Sequence, residues 1–165
     1  MKARKVELKE GLVLRRLTPE DLERAILIDK QVSGRARKGY FQSRLKAALR
    51  NQDAFVQIGI DEEGKLVGYM LARQLSGEYG RTTKAMTIEV INVDPKSRNR
   101  GLGQHLMSAL EAEMKDRGIT DLQTEVNWTN HKLLAFLDHS GFEIAPRMVL
   151  QRPVSQDIRQ PREAV

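Results

Sequence analysis

The stretch from Met86 to Arg117 constrains the fold of this chain more than any other part of the sequence. It opens with a β-branched run that favours a buried strand, and Asp94 followed by Pro95 ends that strand. Leucine or methionine then recurs at every fourth position, which predicts an amphipathic helix with one apolar face. The residues that define the strand are Thr87, Ile88, Val90, Ile91 and Val93, and those that define the helix are Leu102, Leu106, Leu110 and Met114.

The turn between this strand and this helix, from Arg98 to Gly103, has the features of an anion site. The first amides of a helix lack partners inside the helix, and the helix dipole adds positive potential there. Gly101 and Gly103 leave this backbone uncovered, while Arg98 and Arg100 add positive charge. The sequence therefore predicts a phosphate site at the backbone of the turn. The alternative interpretation is that Gly101 only shapes a tight turn and that the arginines are solvated.

Two well-known phosphate loops do not fit this turn. The pattern Gly-x-x-x-x-Gly-Lys-Ser/Thr is absent from the sequence, and Gly-x-Gly-x-x-Gly fails because Leu106 stands where the third glycine belongs. The turn instead resembles the acetyl-CoA signature of the GNAT family of N-acetyltransferases, Arg/Gln-x-x-Gly-x-Gly/Ala. The matching residues are Arg98, Gly101 and Gly103, preceded by the family's Val-Asp-Pro at Val93, Asp94 and Pro95.

Composition limits the classes of protein to which the chain can belong. With 165 residues, of which 40% are hydrophobic, the chain can bury one core, so we expect one domain. The sequence has no cysteine, and its three histidines lack metal-ligand spacing, so we expect neither disulfides nor a metal site. No apolar run reaches membrane-span length, and the first residues lack the apolar core of a signal peptide. We therefore expect a cytoplasmic protein without a membrane partner.

The net charge of +6 at pH 7 raises the question of nucleic acid. Aromatic residues make up only 5% of the chain, and the basic residues are spread over helices that also carry acids. These features argue against nucleic-acid binding, and a polyanionic cofactor would use the positive charge equally well.

The remaining elements are predicted from their patterns and caps. Helices are expected from Thr18 to Gly34, through Leu45 and Leu49, and from Asn130 to His139. Strands are expected at Leu12–Leu17, Ala54–Ile60, Lys65–Gln74, Asp121–Val126 and Met148–Arg152, and Gly118 is expected to end the central helix. We expect a flexible arm at 1–11, one domain at 12–155 and a disordered tail at 156–165.

This order of elements predicts an α/β fold, with a mixed sheet covered by helices on both faces. From Leu12 to Arg152 it resembles the GNAT acyl-CoA N-acyltransferase fold, and Asn130, Phe136 and Gly141-Phe142 are similar to the family's later helix. The resemblance implies a mostly antiparallel sheet that is splayed between its fourth and fifth strands.

The resemblance also implies that acetyl-CoA lies in that splay. The backbone of Ile91 and Val93 would then pair with the pantetheine amides, and Asn130 would contact the pantetheine arm. An alternative interpretation makes Asn130 a helix N-cap beside Thr129. The backbone amides that would hold the pyrophosphate are those of Arg98, Asn99, Arg100, Gly101, Leu102, Gly103 and Gln104.

Glu89 is the candidate catalytic base. Transfer of an acetyl group to an amine requires a neutral amine, and Glu89 is the carboxylate within the otherwise apolar strand. Regular alternation would place it on the same face as Ile91 and Val93, whereas a bulge would reverse that face. The alternative interpretation is a structural ion pair with Arg81 or Arg73.

Two further features concern the chemistry. Leu137 occupies the position at which many family members have the tyrosine that protonates the departing thiolate, so the general acid stays unassigned. In this family the link between the first two helices and the loop before the central strand shape the acceptor pocket. The corresponding candidates here are Arg35, Arg37, Tyr40 and Tyr79. The arginines suit an acceptor with a carboxylate or phosphate, although a charged segment is also typical of a solvated surface.

The sequence and the resemblance together predict an N-acetyltransferase that uses acetyl-CoA and a small-molecule or peptide amine, as a monomer or homodimer. The alternatives are a protein acetyltransferase for N-termini or lysines and a CoA-binding regulatory module without chemistry.

Overall fold

One sheet of six strands organises the part of the chain that the computed structural model describes, which is residues 6–8, 11–76 and 83–151. The strands are β1 (Val6–Glu7), β2 (Leu12–Arg16), β3 (Phe55–Glu62), β4 (Lys65–Ser76), β5 (Lys84–Val93) and β6 (Asp121–Thr124). The helices are α1 (Leu22–Ser33), α2 (Lys38–Arg50), α3 (Leu102–Asp116) and α4 (His131–His139).

The strands lie in the order of the chain, from β1 at one edge to β6 at the other. Every neighbouring pair from β1 to β5 is antiparallel, and β6 runs parallel to β5. This is the mixed, mostly antiparallel sheet that the sequence predicts. The resemblance implies a splay between the fourth and fifth strands of the sheet. Because β1 is an additional first strand here, those two strands are β5 and β6.

The strand β1 lies within the stretch 1–11 that we predict to be a flexible arm. Val6 pairs with Leu14 and Glu7 pairs with Val13, so that prediction is wrong for these two residues. The outer edge of β2 offers backbone groups that a short charged segment can pair with, and such pairing leaves little trace in a sequence.

Helices cover both faces of the sheet, and each face has its own apolar core. On one face α3 and α4 pack over the sheet through Leu102, Leu106, Met107, Leu110, Met114 and Leu137. On the other face α1 and α2 pack over the sheet through Ala25, Ile26, Ile28, Phe41 and Leu45. The four-residue spacing of the central helix thus predicts its buried face correctly. We refer to these as the α3 face and the α1 face.

The predicted last strand at Met148–Arg152 is wrong for its described part. Residues 148–151 form no strand, and Met148, Val149 and Leu150 are 72–88% exposed. Strand propensity is realised only when a partner edge lies alongside, and none of the described strands pairs with this segment. Arg152 and the tail at 156–165 lie outside the described residues.

None of the helices in the described ranges combines the length and the apolar character that a membrane span requires.

Candidate active site

A β-bulge at Glu89 sets the geometry of the central strand. Ile88 pairs with Ala72 and Val90 pairs with Leu71, so Glu89 has no partner in β4. Ile88 and Ile91 consequently lie in the core of the α3 face, whereas Val90 lies in the core of the α1 face. The prediction that Glu89 shares a face with Ile91 and Val93 is therefore wrong, because the bulge adds one residue to the alternation.

Beyond this bulge, β5 has an open backbone edge. Strand β6 pairs with β5 as far as Ile88, opposite Thr124, and the Thr124 hydroxyl donates a hydrogen bond to the Ile88 carbonyl at 3.0 Å. The Asp94 amide donates to the Val67 carbonyl at 2.8 Å, which makes this pair a hydrogen-bonded pair of the antiparallel ladder. Bonded and non-bonded pairs alternate, so the N–H and C=O groups of Ile91 and Val93 point away from β4. They face the gap that β6 leaves.

The turn after β5 contains two residues with left-handed backbone conformations. Asp94 begins a short 3-10 helix by accepting a hydrogen bond from the Lys96 amide at 2.9 Å. Asn99 and Gly101 then adopt left-handed conformations, with φ of 63° and 73°. Alternation of left-handed and right-handed residues makes N–H groups converge, which is the geometry of an anion-binding nest. Gly101 is also the N-cap of α3 and has no side chain to cover the first helical amides.

The two arginines of the turn differ in their contacts. Arg98 is exposed and makes no ion pair with any described residue. Arg100 pairs with Glu62 of β3 at 2.8 Å, and this hydrogen bond lowers the pKa of Glu62. Arg100 is thus anchored to the sheet beside the turn, while Arg98 extends into solvent.

Gly103 has a packing role that the sequence does not reveal. A Cβ at this position would lie 2.8 Å from Cε2 of Phe136, so the glycine allows α4 to contact α3 directly. Gln104 continues the same interface, since its Nε2 donates to Oγ of Ser140 at 3.0 Å. The contacts with α4 therefore give Gly103 and Gln104, two of the predicted pyrophosphate-binding residues, a structural role that does not depend on a ligand.

Asn130 is the N-cap of α4. Its side-chain oxygen accepts a hydrogen bond from the Leu133 amide at 3.3 Å. Of the two interpretations, the structure displays the N-cap, and the contact to pantetheine stays a prediction.

On the α1 face, the Glu89 carboxylate meets two guanidinium groups. Arg44 of α2 reaches Oε1 of Glu89 at 2.8 Å, and Nε of Arg73 on β4 reaches the same oxygen at 3.3 Å. The ion pair with Arg73, one of the two in the alternative interpretation of Glu89, is therefore present. Arg81 lies outside the described residues. Sequence reasoning missed Arg44. Its position four residues after Tyr40 on a helix was the available signal.

Tyr40 lies beside this ion pair. The Arg37 and Arg44 guanidiniums lie 5.2 and 5.7 Å from the centre of its ring. Burial and the charge of Glu89 raise the pKa of Tyr40, although Arg44 opposes the rise. The structure thus brings together Glu89, Tyr40 and Arg44.

Arg37 is already engaged by a buried carboxylate. Its Nη2 and Nε reach the two oxygens of Asp29 at 2.6 and 3.0 Å, and this hydrogen bonding raises the pKa of Arg37. Asp29 is fully buried and also accepts a hydrogen bond from Asn92, which donates to the Tyr69 hydroxyl as well. Arg37 therefore ties the link between α1 and α2 to the sheet.

Two predicted acceptor residues remain, Arg35 and Tyr79, and the structure describes Arg35. Arg35 is exposed and lies away from this cluster, and within the described ranges its bonds are those of its backbone with the Ser33 hydroxyl. Tyr79 lies outside the described residues. Leu137, which replaces the family's tyrosine, is 5% exposed and belongs to the core of the α3 face.

Comparisons with known proteins agree with this architecture. The mycothiol acetyltransferase of Propionibacterium freudenreichii subsp. shermanii is 25% identical over 142 residues, which cover 83% of this chain and 45% of the relative. The chain therefore spans less than half the length of that relative.

Two solved structures share the fold. AAC(6')-Iy in complex with the bisubstrate analog CoA-S-monomethyl-acetylneamine superposes with a TM-score of 0.72 at 18% identity, over 86% of this chain and 97% of that one. Glucosamine-6-phosphate N-acetyltransferase from Arabidopsis thaliana gives a TM-score of 0.68 at 21% identity, over 87% of this chain and 99% of that one.

The family comparison covers the elements that form the site. Residues 21–142, from the start of α1 to the Gly-Phe pair after α4, match the Acetyltransferase (GNAT) family. That range contains the bulge, the open edge of β5 and the glycine turn. The chain belongs to the Acetyltransferase (GNAT) family.

Proposed function

We propose that this protein is an N-acetyltransferase that transfers the acetyl group of acetyl-CoA to a primary amine of a small molecule or peptide. The open edge of β5 is the observation that supports this proposal most directly, because the two faces of the sheet meet at this edge. The glycine turn at the start of α3 lies after this edge, and the Glu89 carboxylate lies before it on the α1 face. A cofactor and an acceptor approaching from opposite faces would meet at this gap.

The residues at the gap fit the chemical groups of acetyl-CoA. The outward N–H and C=O groups of Ile91 and Val93 are suited to pair with the amide groups of a pantetheine arm, in the way that they would pair with an added strand. A pyrophosphate is suited to the uncovered backbone amides of the turn and of the first turn of α3, from Asn99 to Gln104. When bound, acetyl-CoA supplies an acetyl group activated as a thioester.

Glu89 is proposed to remove the proton from the acceptor amine. An alkyl ammonium has a pKa of about 10.4, so a nucleophilic amine requires a base near neutral pH. Arg44 and Arg73 orient the Glu89 carboxylate through its Oε1, which leaves Oε2 to face an ammonium or a bridging water. Because Leu137 is buried, we assign no side chain as the acid for the thiolate.

The named activities of the relatives support an amine acceptor. One is a mycothiol acetyltransferase, one holds an analog built from acetylneamine, and one is a glucosamine-6-phosphate N-acetyltransferase. These are properties of those proteins, and for this chain they support acetyl transfer to an amine.

Two substitutions at Gly101 test the cofactor site. A side chain there meets no described atom within 4 Å of its Cβ, and both Asn and Asp tolerate the left-handed conformation better than other residues. Gly101→Asp adds a negative charge beside the proposed pyrophosphate, whereas Gly101→Asn has the same shape without the charge. We expect the Asp variant to bind acetyl-CoA about tenfold or more weakly than the Asn variant.

Calorimetric titration with acetyl-CoA measures this difference, and equal melting temperatures of the two variants exclude a folding defect. Equal affinities would contradict a phosphate site at the turn. A thiol-release screen with small amines and a lysine-bearing peptide then identifies the acceptor class. Binding of acetyl-CoA without release in any reaction would favour a regulatory module.

A further inference from the structure

We infer that the acceptor amine also carries an oxyanion, a carboxylate or a phosphate, which Arg44 binds beside Glu89. This inference rests on the proposed function and names the chemical class of its acceptor. The anion-binding residue is then Arg44 and not the predicted Arg37, because the Arg37 guanidinium already pairs with Asp29.

The contacts of Arg44 leave most of its donors available. One nitrogen, Nη2, reaches Glu89 at 2.8 Å. The guanidinium also hydrogen-bonds the Tyr40 side chain and lies 5.7 Å from the centre of its ring. A guanidinium has five N–H donors in a planar fork. Because the Arg44 side chain is 35% exposed, a ligand on the α1 face can reach the remaining donors. A fork of this kind suits the paired oxygens of a carboxylate or phosphate.

Exposure separates the two signs of charge at this site. The guanidinium side chains of Arg37, Arg44 and Arg73 are 44%, 35% and 35% exposed. The carboxylate side chains of Asp29 and Glu89 are 0% and 11% exposed. A molecule that approaches this face therefore meets positive charge before it meets the base. Such a surface favours an anionic acceptor and disfavours a polycation.

The distance between Arg44 and Glu89 also restricts the shape of the acceptor. The two side chains are in direct contact, so an oxyanion on Arg44 and an amine at Glu89 belong to groups only a few bonds apart. Amino acids and aminoalkyl phosphates have this arrangement.

The test compares acceptors that share an amine and differ in the oxyanion. Suitable pairs are O-phosphoethanolamine with ethanolamine, and 4-aminobutyrate with butylamine, with spermidine as the polycation. Each is assayed for kcat/KM by thiol release in the wild type, Arg44→Gln and Arg44→Lys. Arg50→Gln is the matched control, because it removes one exposed arginine from the same helix.

We expect the wild type to prefer the anionic member of at least one pair. Arg44→Gln should lower kcat/KM for that member by about tenfold to a hundredfold more than for the neutral member, the usual effect of a charge-assisted hydrogen bond. A smaller loss common to both members would reflect the contact by which Arg44 orients Glu89. Arg44→Lys should recover part of the preference, since it keeps the charge and loses the fork. Arg50→Gln should behave as the wild type.

Turnover with a neutral amine or spermidine as the best substrate would overturn the inference and leave the proposed function intact. An equal loss for both members of a pair in Arg44→Gln would also overturn it. If no amine is acetylated, the proposed function fails, and calorimetry with O-phosphoethanolamine decides the inference separately. Binding that Arg44→Gln does not weaken would then reject Arg44 as an anion site.

Discussion

At the scale of single residues, the position of Glu89 follows from its lack of a partner in β4. The bulge turns its carboxylate toward the α1 face, where Arg44 and Arg73 hold it. A carboxylate in a purely structural ion pair would leave catalysis unchanged when neutralised. Neutralising a catalytic base would lower the rate, so substitution of Glu89 distinguishes the two roles.

Replacing Glu89 by Gln should lower kcat by about 10²–10⁴-fold at neutral pH, because glutamine keeps the size of the side chain and cannot accept the proton. Acetyl-CoA affinity should persist, since the proposed cofactor contacts are backbone groups on the other side of the gap. Raising the pH should restore part of the activity, because more of the acceptor amine is then neutral. Steady-state kinetics across pH, with calorimetry for the cofactor, measure these effects.

The matched control is Glu113→Gln, which also neutralises a glutamate paired with an arginine, here Arg117 at 2.6 Å on α3. It should leave kcat unchanged. Leu137→Tyr is unsuitable as a control, because Leu137 is buried and a larger side chain would strain the core. Activity of Glu89→Gln within about twofold of the wild type at every pH would make Glu89 structural.

Gly103→Ala should destabilise the protein by about 1–3 kcal/mol, because the added Cβ would overlap the Phe136 ring. Phe136→Leu in the same chain should relieve part of that loss, and a double-mutant cycle by urea unfolding measures the coupling. Additive losses would show that the two side chains do not compete for this space.

At the scale of elements, the segment between β5 and α3 depends on one buried carboxylate. Asp94 is 5% exposed and receives hydrogen bonds from the Lys96 amide and the Arg24 guanidinium of α1. Arg24 also donates to the Leu66 carbonyl at 3.0 Å. Asp94 thus links α1 on one face to the turn that leads to α3 on the other.

Burial acts to raise the pKa of Asp94, but the Lys96 amide and Arg24 outweigh burial and hold it below its ordinary value. A lowered pKa means that the ionised form favours folding. Its contribution is complete above the unfolded-state pKa of about 3.9 and disappears as the pH falls through the lower folded-state value. Asp94→Asn should therefore cost about 1.5–3 kcal/mol at neutral pH, and the difference from the wild type should shrink below about pH 4.

Chemical denaturation from pH 7 down to the acid limit of the folded state tests this dependence. The asparagine variant has no carboxyl group at this position to titrate, so only the wild type should lose this contribution in acid. A constant difference between the two proteins across the range would contradict the assigned role of the carboxylate.

The sequence predicts those elements best whose signals are local. The four-residue spacing of Leu102 to Met114 determines the buried face of α3, and Gly34 and Gly118 adopt φ of 75° and 65° just beyond their helices. The bulge at Glu89 escapes prediction, because β-branched residues on both sides fit a regular strand as well. Long-range pairs also escape it. The Arg44–Glu89 contact joins residues 45 positions apart, and nothing near either residue indicates the other.

At the scale of the whole molecule, two apolar cores on opposite faces of one sheet have different relations to the site. Leu106 and Ile28 are both 0% exposed, the first beneath α3 and the second beneath α1. The α3 core positions the helix whose first amides form the proposed phosphate site. The α1 core supports the acceptor face.

Leu106→Ala and Ile28→Ala should each lower the free energy of unfolding by about 2–5 kcal/mol. Acetyl-CoA at about 100 times its Kd should add about 2.7 kcal/mol to the wild type and to Ile28→Ala. The gain should be smaller in Leu106→Ala at the same concentration, because a shifted α3 weakens the phosphate site. Denaturation with and without acetyl-CoA measures the gains, and equal gains in both variants would show that the cofactor site is independent of this core.

The bulge corresponds to a single codon of the gene, the codon of Glu89. Ile88 and Val90 already face opposite sides of the sheet, so a chain that joined them directly would keep every apolar residue of β5 on its present face. Deletion of Glu89 should therefore leave a folded protein with an unbroken ladder, whereas deletion of Ile88 or Val90 would put Glu89 in the place of a buried apolar residue and destabilise the fold. A deletion scan along β5 with soluble expression as its readout checks this, and it would show that an inert sheet and the proposed enzyme differ by a single inserted residue.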